Sequence, residues 1–198
     1  MKKNLINFLI ILGFGISQVY AQSVELPKQE NCVAWKTSKR LFLVKNQDPV
    51  GVNCKIQTKI DKTKEGFVFE GNFPIQSFDS GEPARDEHIR ELLEEKTQNS
   101  LVFISDAISS DEWTKKKATS FDLSGILKKG NKDYRITFQV TKQVVDGIPL
   151  WKGLSKTKFT ALGMEPPNVA GGLVAKVRDE LELHFQFIES KIKGFPSN

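Results

Sequence analysis

The chain has 198 residues, with 29 basic and 24 acidic side chains interleaved to a formal net charge of +5. That length suits one domain with a sizeable core, and the mild charge excess is ordinary solubility chemistry rather than the footprint of a nucleic-acid binder. Two histidines and two cysteines leave little from which to build a metal site, and no Gly-x-Ser-x-Gly elbow, phosphate loop or dinucleotide fingerprint occurs.

Lys2 and Lys3 precede an uncharged apolar run from Leu5 to Ile16, and Val19-Tyr20-Ala21 follows. A basic start, a short apolar stretch and a small-residue end predict a secretory signal peptide over residues 1–21, cleaved to leave a single domain over 22–198. A membrane span needs about 20 apolar residues, more than this run supplies. Export would place Cys32 and Cys54 in an oxidising compartment, where an even pair is expected to bridge.

Strand periodicity dominates the rest. Leu41 and Leu43, Phe67 and Phe69, Leu101 and Phe103, and Phe121 and Leu123 begin alternations of apolar and polar residues. Ile136, Phe138 and Val140 continue the pattern, and Leu181, Leu183, Phe185 and Phe187 alternate with Glu180, Glu182, His184 and Gln186. Lys64-Glu65-Gly66, Gly130-Asn131 and Asp146-Gly147 supply turn chemistry between runs. Gly171-Gly172, after Pro166-Pro167, reads as a long loop before the last strand. About eight antiparallel strands are expected.

Between Pro83 and Lys96 the period becomes helical, with Pro83 in the first turn and Asp86 and Glu87 near the positive end of the helix dipole. Arg85, Ile89, Leu92 and Leu93 share one face. If that face looks onto a barrel, the three apolar residues cover its mouth. Arg85 then meets a polar head group or a carboxylate, Asp86 and Asp79 being nearest in sequence.

Eight strands with one apolar face each can close into a barrel, filled by its own side chains or holding one small ligand. Alternation places Phe69, Phe103, Phe121, Phe138, Phe159 and Phe185 on candidate inward faces, with Leu123 beside them. Fourteen phenylalanines against two tyrosines make the inward surface large and almost free of hydroxyls. Both the hollow and the filled reading fit this pattern.

The run Phe67-Val68-Phe69-Glu70-Gly71-Asn72-Phe73-Pro74-Ile75 with Ser80-Gly81, then Arg85-Asp86-Glu87-His88-Ile89-Arg90 and Leu92-Leu93, resembles the central signature of the YceI family. Phe103-Ile104-Ser105 matches its aromatic before serine. The Phe121 to Leu127 and Tyr134 to Phe138 segments are similar to a later hairpin, and Phe159, Gly163-Met164 and Leu181-Glu182-Leu183 to its last two strands. The resemblance spans roughly residues 60 to 190. It implies an eight-stranded, lipocalin-like antiparallel β-barrel, exported to the periplasm and holding a polyisoprenoid or isoprenoid quinone. The family's Asp-x-x-His-Ser element near the first strand has no counterpart in Trp35-Lys36-Thr37-Ser38-Lys39-Arg40, and the Cys32 and Cys54 pair is not a family hallmark.

The expected function is therefore that of a carrier for a long-chain apolar lipid, without a cofactor or a chemical step. The alternative is a structural or interaction protein of the cell envelope with a filled barrel. His184 is expected on a solvated face. His88 and Asp86 are expected to belong to a charged network that, through an Arg85 and Asp86 pair, ties the helix to the rim. Lys115-Lys116-Lys117 beside Trp113 is expected to be a solvated turn.

Overall fold

The structure, a computed structural model, describes residues 24–41, 44–116, 120–169 and 175–196. The expected leader over residues 1–21 lies outside the described residues, as do Leu43, Lys117 and Gly171-Gly172.

Among the described residues eleven strands build one antiparallel sheet: β1 Cys32–Leu41, β2 Val44–Gln47, β3 Val50–Asn53, β4 Gln57–Lys62, β5 Phe67–Pro74 and β6 Ser100–Ser105, followed by β7 Phe121–Lys129, β8 Lys132–Val145, β9 Ile148–Lys158, β10 Asn168–Val169 and β11 Ala175–Ile188. The order across the sheet is β2-β1-β11-β9-β8-β7-β6-β5-β4, with β3 added beside β1 and β10 beside β11. The expected count of eight falls short because β2, β3 and β10 are only two to four residues long. Runs that short carry no period-2 signal.

The β8–β9 hairpin turns at Asp146 and Gly147, whose φ angles of 52° and 79° are both in the left-handed region that a type I′ turn requires. Gly130, at φ 59°, turns β7 into β8.

Helix α1, Pro83–Leu92, lies where helical periodicity predicts one but stops four residues early. Leu93 caps it and Glu94 takes a positive φ of 60°. A second helix, α2 Ser110–Lys116, replaces the expected solvated turn. Its start is a capping box: the Ser109 hydroxyl accepts from the Glu112 N–H at 3.3 Å, while the Glu112 carboxylate accepts from the Ser109 N–H at 3.4 Å.

The sheet curls until its ends approach, but among the described residues no ladder joins β4 to β1, β2 or β3. Other contacts occupy the seam. The Ile60 N–H donates to Lys193 O at 2.8 Å and the Lys193 N–H donates to Thr58 O at 3.1 Å, so the C-terminal tail lies along β4. Asn31 donates from its amide to Thr58 Oγ1 at 3.1 Å. A disulfide joins Cys32, the first residue of β1, to Cys54 in the link from β3 to β4. The expected bridge therefore forms, and it stands at the seam.

The outer face of β11 is less wet than alternation suggests. The Gln186 amide donates to Pro27 O at 2.7 Å, and the Ile188 N–H donates to Asn31 Oδ1 at 2.7 Å. The segment before β1 covers this part of the strand, and Gln186 is buried.

Candidate ligand-binding cavity

Inward positions on β1, β5, β6, β7, β8 and β11 meet under helix α1. They enclose a cavity in which the centre of a water-sized sphere has about 100 Å³ to move. That is several times the roughly 10–15 Å³ that one water needs on this measure, so this part of the lumen is not filled by side chains. Phe69, Phe103, Phe138, Phe159 and Phe185 line it, as do Ile89, Leu92 and Leu93 of the α1 region. The helix thus covers one end of the cavity with the three apolar residues that its periodicity singled out.

Phe121 and Leu123 stand elsewhere. With Ile60, Ile108, Trp113, Val140 and Trp151 they line a smaller cavity, about 40 Å³ by the same measure, toward α2 and the C-terminal tail. Phe69, Phe185 and Phe187 belong to the walls of both.

Arg85 is not among the wall residues of either cavity. Its guanidinium pairs with Glu82 and reaches Ser80 O at 3.4 Å, in place of the expected pairing with Asp86 or Asp79. The Asp86 carboxylate instead accepts the Ser80 N–H at 2.9 Å. Both residues of the expected Arg85 and Asp86 pair tie the start of α1 to the Ser80 turn, each through its own bond. His88 is half exposed, 3.8 Å from Glu91 on the same helix.

The wall is apolar apart from groups on four residues, Lys129, Tyr134, Trp35 and His184. Lys129 follows Leu123, Gly125 and Leu127 on the inward side of β7 and is only 3% exposed. Its ammonium donates to Glu94 at 2.8 Å, which holds the Glu94 carboxyl below the usual range. The Tyr134 hydroxyl and the Trp35 indole Nε1 are buried without a hydrogen-bond partner among the described residues. Unpaired buried donors of this kind cost on the order of 1–3 kcal/mol each.

His184 departs from the solvated face expected for it. Its side chain is 13% exposed and lies 3.2 Å from Glu182. Burial pushes its pKa down, against the opposing pull of Glu182.

Several wall residues were open to the same alternation argument but were not singled out by it. Val33 and Trp35 alternate on β1, Phe73 keeps the parity of Phe69, Phe187 that of Phe185, and Tyr134 and Ile136 that of Phe138. Phe78 and Met164 also reach the wall from irregular segments, and Leu162 from the single 3-10 turn Thr160–Leu162, none of them long enough to show a period.

The described residues contain one cluster of metal-ligating type, Glu30 with Cys32 and Cys54, and both of its sulfurs are consumed in the disulfide. No helix among the described residues is long and apolar enough to cross a membrane.

No family model matches the chain, and no curated protein matches it. Among solved structures, BcnA of Burkholderia cenocepacia matches over 79% of this chain and 95% of its own, at 16% identity and a TM-score of 0.58. A Campylobacter jejuni YCEI protein matches over 93% and 97%, at 11% identity and a TM-score of 0.47. A polyisoprenoid binding domain from Saccharophagus degradans matches over 78% and 91%, at 12% identity and a TM-score of 0.48. The likeness to BcnA shows a shared fold over most of the chain.

Proposed function

We propose that this protein is an exported, periplasmic carrier that holds one long-chain apolar molecule of polyisoprenoid or isoprenoid-quinone type in its lumen, without a chemical step. The observation that carries this reading is the cavity under α1. It is open, walled by phenylalanine and aliphatic side chains, and two of its wall residues, Trp35 and Tyr134, carry buried donors that lack partners among the described residues. Pockets of this make-up bind by burying apolar surface and use a few polar groups to fix orientation. A hydrocarbon tail with a small hydrogen-bond acceptor, such as a carbonyl, fits both features. The open space also weighs against the alternative of a barrel filled by its own side chains, and the disulfide accords with an oxidising compartment.

The test is organic extraction of the purified protein followed by mass spectrometry, paired with Leu127→Trp. Leu127 is buried in the cavity wall, so the larger side chain takes ligand space. The expected result is an extractable long-chain lipid from the natural protein and little or none from the variant, with the variant's melting midpoint nearly unchanged. An overpacked core would instead lose about 1–3 kcal/mol. That loss, together with no extractable lipid and no binding of an apolar dye by the natural protein, would reject the proposal.

A further inference from the structure

Five phenylalanine rings close a circle across the inside of the sheet. Phe69 contacts Phe103 at 6.3 Å, Phe103 contacts Phe138 at 5.5 Å, and Phe138 contacts Phe185 at 5.2 Å. Phe185 stacks on Phe187 at 4.4 Å, and Phe187 stacks back on Phe69 at 5.2 Å. These are offset-stacked and edge-on contacts of the kind aromatic pairs favour. The five residues come from β5, β6, β8 and β11, so the circle runs around the curled sheet and closes across the seam. The layer is built in closely. A Cβ on Gly153 would come within 2.0 Å of the Phe185 ring, so the ring occupies the space that the glycine leaves. Three of the five, Phe69, Phe185 and Phe187, face both cavities and are the partition between them.

We infer that this five-phenylalanine layer is the floor of the ligand chamber and sets the longest hydrocarbon chain that the protein accepts. The inference rests on the carrier reading above and adds a length rule to it. A chain entering beneath α1 runs down the larger cavity and stops at the stacked rings. Going further requires parting Phe69, Phe185 and Phe187, which gives up their mutual contacts for a smaller chamber beneath. Shorter chains leave part of the upper chamber unfilled and bind less tightly. Longer ones leave apolar carbons in water, so affinity stops rising with length.

The experiment uses isoprenoid alcohols of increasing length, from farnesol and geranylgeraniol upward, to displace the fluorescent dye N-phenyl-1-naphthylamine from the full chain. The natural protein is expected to bind each longer alcohol about tenfold or more tightly until a cut-off, beyond which the gain vanishes. Phe187→Ala and the milder Phe187→Leu, each checked for folding by circular dichroism, open the floor. They are expected to move the cut-off outward by at least one five-carbon unit, with about a tenfold gain for the first alcohol beyond it. Ile108→Phe fills the lower chamber from its own wall and is expected to leave the cut-off where it is. If the natural protein binds none of the series, the carrier reading itself fails. If it binds them with no cut-off, with a cut-off that both Phe187 variants leave in place, or with one that Ile108→Phe shortens, the floor is refuted while the carrier reading stands.

Discussion

Removing the disulfide by the double substitution Cys32→Ala with Cys54→Ala tests how much of the fold depends on the seam. The two cysteines are 22 residues apart in sequence. Restricting a loop of that length in the unfolded chain contributes about 3 kcal/mol on the chain-entropy account. Cys32 is fully buried, so losing its sulfur adds a small packing cost on top. For a domain of this size the entropic part alone corresponds to a fall in melting midpoint of about 6–12 °C. The place of the loss is as specific as its size. The bridge extends the β1–β3 ladder by one pair past Val33 and Asn53, where β3 runs into the link to β4, and among the described residues no ladder joins β4 itself to β1 or β3 beyond it. Amide exchange should therefore speed up most in β3 and β4, at Val52 and Ile60. The β8–β9 hairpin, held by its own ladder from Gln139 to Leu154, should keep its protection. Thiol labelling of the unreduced, denatured natural protein comes first and should find no free sulfur. A loss below about 1 kcal/mol, or exchange that rises evenly through the sheet, would refute the assignment of the bridge to the seam.

Two further substitutions probe the helix and the outer face of β11. Asp86→Ala removes the acceptor of the Ser80 N–H at the start of α1 and should cost about 1–2 kcal/mol, read as a melting midpoint lowered by roughly 2–8 °C; an unchanged midpoint would show that the bond does not hold the helix. For His184, burial lowers the folded-state pKa, so below about pH 6.5 the unfolded chain takes up the proton first. Stability should fall as pH drops from about 6.5 through the lowered folded value and level off beneath it. Urea titrations of the natural protein and His184→Gln between pH 7.5 and 5 should differ in slope over that window, and parallel curves would refute the assignment.

The parts of this protein that sequence reveals and those it hides differ in a physical way. Alternation on β5, β6, β8 and β11 exposes Phe69, Phe103, Phe138 and Phe185 as inward because a strand's side-chain period is fixed by its backbone alone. The same rule reaches Phe187, Trp35 and Tyr134 once the direction of one neighbour is known. It does not tell which inward residues share a chamber: Phe121 and Leu123 carry the same local signal as Phe103, yet stand beyond the aromatic layer, because that layer is assembled from strands far apart in sequence. The seam is hidden for the same reason. The tail at Lys193 and the amide of Asn31 meet Thr58 across more of the chain than any periodic pattern spans.

Lys129 shows where charge pattern and strand period conflict. By parity with Leu123 and Leu127 it points inward, whereas its ammonium argues for water. The conflict is resolved at Glu94, the residue whose left-handed backbone ends the α1 segment short of the expected Lys96. A helix continued through Glu94 would have given that carboxylate a helical backbone, whereas the observed turn directs it to Lys129. The early end of the helix and the buried lysine are thus one arrangement, in which α1 stops at Leu92 and Glu94, two residues beyond, neutralises the charge on the cavity wall. Neither position can be read without the other, since each residue alone violates its local rule and only the pair satisfies both.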